Sequence, residues 1–318
     1  MRKLIEETKD MGQQNPGKCM ESHWTATRGS TFSNKEGKPV RNSNSSHLKI
    51  ATYNVLANQY LHKGSGPKRV KERYRESKGI ISRRRMSDVS MALSEVDLCG
   101  LQELEREMAE GILEGAGERN LEVIWVKRPH EGKKDGVGIL YNADKVAAVK
   151  QYVKFFDMDK ENYGNYKLLQ LVIFEATPGW QFALFNVHIE YEMRESPCNT
   201  FQVDELFKEA NFIVCQCIPV FITGDFNTGP DRVGKDRSYS NLEERSGFAF
   251  SEVSDFSEEY TTKGYSGGSR RDFIFFSKNL TSAFEMDLAK YEIRSDCLAS
   301  DHFPLIASFE ISPQLPIV

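Results

Sequence analysis

The sequence predicts one mixed α/β domain over residues 47–314, behind a disordered tail at residues 1–46. Three observations predict it. Apolar runs of strand length recur along the chain. They outnumber the helical patterns and interleave with them. And most of them end or begin in polar side chains rather than fading into apolar sequence. The chain's 318 residues can hold one large domain or two small ones. No internal repeat divides it.

The tail is polar and aperiodic, with Gly29–Pro39 and Asn42–Ser46 as its plainest stretches. Residues 48–55 then alternate as a strand. Leu48, Ile50, Thr52 and Asn54 take one face, and Ala51, Tyr53 and Val55 take the other. A Gly- and Lys-rich loop is expected from Leu61 to Lys71. A helix follows, with Ile81, Val89, Ala92 and Val96 on its apolar side. Arg83, Arg84 and Arg85 near its start read as a solvated basic turn. Residues 97–103 form a second strand ending in Gln102-Glu103, with a helix soon after. Residues 121–126 and 137–141 are further strands, the second entered through the turn Lys133–Gly136. Residues 168–174 and 181–187 read as a hairpin about Pro178-Gly179, its second arm ending at His188.

Residues 200–217 are the clearest helix, with Val203, Leu206, Phe207, Ala210, Ile213, Val214 and Cys217 on one face. It leads to Val220-Phe-Ile222, a continuous apolar run of the kind that is buried on both faces. That strand stops at Gly224-Asp-Phe-Asn227, also a common turn sequence. In extended chain Asp225 and Asn227 point to the same side. A polar loop covers Gly229–Ser240. Residues 271–276 form a strand with Asp272 at its start. The last strand covers 303–311, directly after Ser300-Asp301-His302.

Composition excludes several classes. Against 46 Asp+Glu stand 42 Lys+Arg, a net charge of -4, so the surface as a whole does not grip nucleic acid, although a local basic patch can. The six cysteines include no pair at zinc-site spacing. They read as reduced thiols of an intracellular protein, cytoplasmic or nuclear. No apolar run reaches the length of a membrane span, and the N-terminus lacks an apolar signal core.

The polar strand boundaries share a chemistry. Asn54, Glu103, His188, Asp225 and Asn227 lie at strand ends, and Asp272, Asp301 and His302 at strand starts. If neighbouring strands alternate in direction, ends and starts meet at one rim. Together they supply carboxylate oxygens, amides and two imidazoles. That set suits metal-assisted attack on a phosphodiester, with a hard cation such as magnesium polarising the phosphoryl oxygen and an imidazole as base or cation. Each residue alone has an ordinary structural reading as a cap, a solvated carboxylate or a hydrogen-bonded core group.

Tyr53-Asn-Val-Leu-Ala57, Leu101-Gln-Glu103, Asn186-Val-His188, Gly224-Asp-Phe-Asn227, Asp272-Phe-Ile-Phe275 and Ser300-Asp-His302 resemble, in order, the motifs of the endonuclease/exonuclease/phosphatase superfamily. The resemblance spans residues 48–311. It implies the four-layered α/β/β/α sandwich of deoxyribonuclease I and hydrolysis of phosphoesters with Mg2+, for which Mn2+ can substitute. It implies Glu103 as the main metal ligand, with Asn54 near it and Asp301 supporting metal or water. It implies Asp225 acting on the attacking water, Asn227 on phosphate or metal, His188 on the scissile phosphate, and Asp272 orienting His302.

The Tyr-Asn-Val-Leu motif, Arg73-Tyr-Arg75, Asp135-Gly136, Pro230 and Tyr260-Thr261 resemble the deadenylase branch, which includes nocturnin and the Angel proteins. That branch implies a 3′-5′ exoribonuclease acting on single-stranded RNA. Arg270-Arg271 departs from it, because a small or apolar residue is usual there. The pair is a candidate phosphate contact and fits the alternatives, a DNA-repair nuclease, a tyrosyl-DNA phosphodiesterase-like enzyme or a phosphoinositide or sphingolipid hydrolase.

Overall fold

The structure is a computed structural model that describes residues 30–33, 47–62, 68–74, 83–128, 130–156, 167–177, 180–191, 198–230, 238–247, 249–255, 259–264, 267–278 and 284–313. One sheet holds β1 (Ser30–Ser33), β2 (His47–Asn54), β3 (Leu98–Glu105), β4 (Leu121–Lys127), β5 (Asp135–Asn142), β14 (Phe284–Ile293) and β15 (Leu305–Pro313), in the spatial order β1-β4-β5-β3-β2-β15-β14. The other holds β6 (Ala147–Phe155), β7 (Leu168–Thr177), β8 (Trp180–His188), β9 (Val220–Asp225), β10 (Phe250–Glu252) and β13 (Asp272–Ser277), in the order β10-β13-β9-β8-β7-β6. A small hairpin pairs β11 (Thr262–Gly264) with β12 (Gly267–Ser269). Among the described residues the helices are α1 (Asn58–His62), α2 (Lys68–Arg73), α3 (Arg83–Ala92), α4 (Arg106–Gly115), α5 (Cys198–Val214) and α6 (Ser238–Gly247).

Period-2 alternation sorts the strand residues into layers. In β2, Leu48 and Ile50 enter the core between the sheets, while Ala51 and Tyr53 pack with α3 and α4 residues Met86, Val89, Met108 and Ile112. In β8 and β9, Phe182, Leu184 and Phe221 face the other sheet, while Phe185, Val220 and Ile222 pack with Val203, Leu206 and Phe207 of α5. Helix, sheet, sheet, helix is therefore the layer order, the four-layered sandwich.

Between the sheets sits a polar plug. Asn186 donates to the carbonyls of Leu101 at 3.1 Å and Gly138 at 2.9 Å, and accepts from Gln102 Nε2 at 2.7 Å. Gly100 allows this close approach, since a Cβ there would lie 2.1 Å from Thr223 Oγ1.

The topology brings strand ends to one rim. β2 runs parallel to β3, and β8 parallel to β9, so all four finish there. β13 and β15 run antiparallel to their neighbours β9 and β2, and so begin there. The registers His188↔Asp225 and Asp225↔Asp272 place three expected site residues side by side.

Some expectations are corrected. Ser30–Ser33, inside the segment read as a disordered tail, pairs antiparallel with β4. Four residues are too few for periodicity to register in the sequence. The rest of that tail lies outside the described residues. α2 occupies part of the expected loop at 61–71. The sequence reading passed over the edge strands β6 and β14, each of which carries a register shift that breaks its alternation, and over α6, β10 and the β11–β12 hairpin. Arg85 is not solvated: it is 1% exposed.

Candidate active site

Of the polar residues at this rim, Glu103, His188, Asp225, Asn227 and His302 line one pocket of about 280 Å³, and Asn54, Asp272 and Asp301 do not line it. Alternation places most of them. Asn54 follows Leu48 and Ile50 on the face toward the other sheet. His188 follows Phe182 and Leu184, and Asp225 follows Phe221, on the face opposite. Glu103 breaks the pattern. Leu101 and Leu104 both face the helical layer, three residues apart. The phase changes because β3 carries a register shift between Gln102 and Leu104, and Glu103 has φ 54. A left-handed glutamate at a bulge is strained backbone that re-aims a side chain, here into the pocket. Leu56 at φ 55 and Asn227 at φ 52 flank the same site.

The contacts form one network. Glu103 Oε2 accepts from the Ala57 amide at 3.1 Å, and Oε1 accepts from Asn54 Nδ2 at 3.3 Å. The same Asn54 amide donates to Asp225 Oδ2 at 3.0 Å, tying the two sheets together. Asp225 Oδ1 accepts from the Asn227 amide at 2.9 Å, and Asn227 Nδ2 donates to Ile189 O at 2.8 Å. Asp225 Oδ2 lies 3.6 Å from His188 Nε2 and 3.8 Å from His302 Nε2, so both rings face one carboxylate at slightly more than hydrogen-bond range. The other nitrogen of His302, Nδ1, sits 2.8 Å from Asp272 Oδ2.

The two imidazoles are pushed in opposite directions. Burial pushes the pKa of His188 well below the ordinary histidine value, and the cations Lys167, Arg128 and His302 push the same way. His188 is neutral at pH 7. Burial acts to lower His302 as well, but Asp272, Asp225 and Asp301 outweigh it, and its pKa stands well above the ordinary value. His302 is a cation. Burial raises the Asp225 carboxyl, with Asp272 adding to it and His302 and the Asn54 hydrogen bond opposing. Neighbouring groups driven apart in this way can divide acid, base and charge-stabilising roles.

Donor atoms of Asp225, Asp272 and His302 lie within 4.8 Å of one another, a candidate divalent-cation cluster. In that cluster Asp272 already serves His302. Glu103 fits a hard cation better. Its carboxyl is raised by burial, then by the nearby carboxylates of Asp301 and Asp135, so it is an acid in an acidic neighbourhood that a cation would relieve. Asp301 is half-buried, accepts from Ser300 Oγ at 3.3 Å, and is not in the pocket lining.

Residues 51–302 match the profile of the endonuclease/exonuclease/phosphatase family. The chain belongs to that family. Its members are hydrolases of phosphoester bonds, phosphatases and nucleases among them. Comparison with curated protein sequences found no match. Solved structures share the fold. ANGEL2, a 2′,3′-cyclic phosphatase crystallised with adenosine-2′,3′-vanadate, superimposes with TM-score 0.65 at 16% identity, covering 83% of this chain and 95% of that one. The Bacteroides vulgatus endonuclease/exonuclease/phosphatase gives 0.63 at 18%, covering 84% and 99%. The human nocturnin catalytic domain, with bound sulfate, gives 0.61 at 17%, covering 86% and 100%.

Arg270, expected as a phosphate contact, does not line the pocket. Its side chain and that of Glu252 are both 0% exposed and pair at 2.8 Å. The guanidinium also lies 4.9 Å from the Phe273 ring centre. Arg271 is half-buried, with Nη1 3.2 Å from Arg270 O, and does not line the pocket. The pocket's cationic wall comes instead from Arg128, Lys133 and Lys167, with Tyr60, Glu190 and Tyr191 beside them. Sequence reasoning missed all six. Arg128 directly follows a strand and is ion-paired with Asp135, while Glu190 and Tyr191 follow His188 by two and three positions. Extending the strand-end search past the last strand residue would have found these three.

Proposed function

We propose that the chain is a magnesium-dependent phosphodiesterase acting on single-stranded RNA, a 3′-5′ exoribonuclease of the deadenylase type. The observation that carries this reading is the convergence of Glu103, Asp225, His188 and His302 on one pocket beside a cationic wall, with Asn54 hydrogen-bonded to both Glu103 and Asp225. Glu103, with Asn54 beside it and Asp301 behind, is the group we assign to Mg2+, which when bound supplies polarisation of a phosphoryl oxygen and stabilises the leaving oxygen.

The protein's own groups do the rest. Asp225 orients the attacking water and takes its proton, a role helped by a carboxyl pKa raised through burial. His302, a cation held in place by Asp272, lies against the phosphate as charge develops. Neutral His188 and Asn227 hold the phosphate from the β8 and β9 side. Arg128 and Lys167 favour a polyanionic substrate, and half-exposed Tyr191 offers a ring face to a base. The likeness to ANGEL2, crystallised with an adenosine vanadate, supports a nucleotide substrate. With Arg270 buried against Glu252, the alternative of a DNA-repair enzyme rests on half-buried Arg271 alone. Among the described residues no helix is long and apolar enough to cross a membrane. We place the enzyme inside the cell, in cytoplasm or nucleus, where RNA is met.

The test is a panel with Mg2+ containing poly(A) RNA, 2′,5′-linked oligoadenylate, abasic duplex DNA and an inositol phosphate. Mononucleotide release from poly(A) is the expected result. Cleavage of abasic DNA or of the inositol phosphate with poly(A) intact would overturn the RNA assignment.

A further inference from the structure

Arg85 lies outside the pocket lining, yet its contacts converge on the segments that build the site. Its Nη2 donates to the carbonyls of both Val55 and Leu56. Nε donates to Ala299 O at 2.8 Å, and Nη1 to Asn58 Oδ1 at 2.7 Å. These acceptors belong to two separate segments. Val55 to Asn58 is the link after β2, and it supplies the Ala57 amide to Glu103 at 3.1 Å and the Leu56 amide to Asn54 Oδ1 at 3.0 Å. Leu56 holds a left-handed φ of 55 there. Ala299 begins the segment that carries Asp301 and His302, and Ser300 Oγ donates to Asn54 O at 2.7 Å.

Asn58 in turn donates to Glu105 Oε2 at 3.3 Å, and Glu105 Oε1 accepts the Gln59 amide at 2.9 Å, which fixes the start of α1. One buried guanidinium therefore ties the segment serving Glu103 and Asn54 to the segment serving His302. A planar fork with five donors can reach four acceptors in three directions, and a lysine ammonium on a single stem cannot.

We propose that Arg85 is a positioning residue for the reaction: its guanidinium sets the spacing between the Val55–Asn58 and Ala299–His302 segments, and so between Glu103 and His302. This rests on the reading of the pocket given under Proposed function. Its role runs through three backbone carbonyls and the Asn58 side chain, and Arg85 touches no reacting atom.

The experiment uses full-length Arg85→Lys and Arg85→Ala proteins, with folding checked by circular dichroism. Two readouts follow: steady-state kinetics on whichever phosphoester of the panel the wild type cleaves, and titration with Mn2+ alone. Displacement of catalytic groups by about 1 Å lowers turnover by about 100-fold, so kcat is expected to fall by about 10- to 100-fold, with KM within about threefold. Mn2+ affinity falls by about tenfold, as it does when a ligand's supporting contacts are lost. Adding about 0.05 M guanidinium chloride, far below denaturing molarity, restores part of the kcat of Arg85→Ala, and equal sodium chloride does not. A purely structural arginine would lower the unfolding midpoint and leave the kcat and Mn2+ affinity of the folded protein unchanged. Folded Arg85→Ala with unchanged kcat and Mn2+ affinity overturns the proposal. Should Arg85→Ala not fold, the same unchanged values in Arg85→Lys overturn it. Should the wild type cleave no phosphoester, the functional reading fails, and the Mn2+ titration alone still decides the role of Arg85.

Discussion

Replacing Arg270 with methionine separates the two roles that an arginine can have at this position. Met keeps the length and removes the charge and the fork. Glu252 then keeps the two hydrogen bonds from Ser254 to its Oε2, at 2.8 and 2.6 Å, but its Oε1 loses the 2.8 Å partner while buried. Removing one member of a fully buried pair costs about 3–5 kcal/mol, mainly as the penalty of the stranded charge. Loss of the guanidinium over Phe273 adds up to about 2 kcal/mol, part of which a methionine sulfur beside the ring restores. Against a total stability of about 5–15 kcal/mol this is a large fraction. The double variant Arg270→Met/Glu252→Met removes both charges, and recovers at least about 2 kcal/mol of the loss. Urea unfolding at 25 °C gives the stabilities, and steady-state kinetics on the folded fraction gives KM. We expect a marked stability loss in Arg270→Met with KM within about twofold of wild type. Wild-type stability with KM raised about tenfold or more would refute the argument and return Arg270 to the substrate.

Three further predictions follow from the geometry. Gly100→Ala places a Cβ 2.1 Å from Thr223 Oγ1 and 2.7 Å from Asn186 Oδ1, so the sheets must part, and urea unfolding should show a loss of about 1–3 kcal/mol. Asp272→Asn removes the charge that holds His302 as a cation. Turnover should fall by about 100- to 10,000-fold with little change in unfolding midpoint, and an unchanged kcat would remove Asp272 from the site. Mg2+ should stabilise the wild type by about 2.7 kcal/mol at a concentration 100 times its Kd, and stabilise Glu103→Ala not at all. The pH sign of that effect is fixed by Glu103. Its folded pKa lies above the ordinary 4.5, so protons compete with the metal at higher pH than for an exposed glutamate, and the Mg2+ effect fades as pH falls through the raised value. With EDTA the sign reverses. The buried carboxyl then favours the fold while protonated, and its contribution is lost as pH rises through that same value. Calorimetric melting across pH 4–8, with Mg2+ and with EDTA, reads both.

The site was legible in the sequence wherever alternation and strand boundaries carried the information. Asn54, His188, Asp225 and Asp272 follow the period-2 face of their strands, and their strand registers bring them to one rim. Glu103 was legible as a residue but not as a direction, because alternation points it toward the helices and only the left-handed bulge turns it inward. Arg270 and Arg271 are neighbours of identical type. Which of them is buried depends on Glu252, 18 positions away, and no local pattern carries that. Arg85 misled for the same reason: three successive arginines read as a solvated turn, whereas the carbonyls that bury the third lie 29, 30 and 214 positions away. Lys167 and Arg128 act on His188 through space from two different strand termini. The edge strands β6 and β14 were lost because register shifts interrupt their alternation.

The most direct test of the account is mononucleotide release from a short single-stranded oligoadenylate by wild type and His302→Ala, each with Mg2+ and with EDTA. The account predicts release by the wild type with Mg2+, none with EDTA, and a fall of at least about 100-fold in a His302→Ala protein whose circular dichroism is unchanged. Wild-type rates in the variant, or equal rates with and without Mg2+, would contradict it.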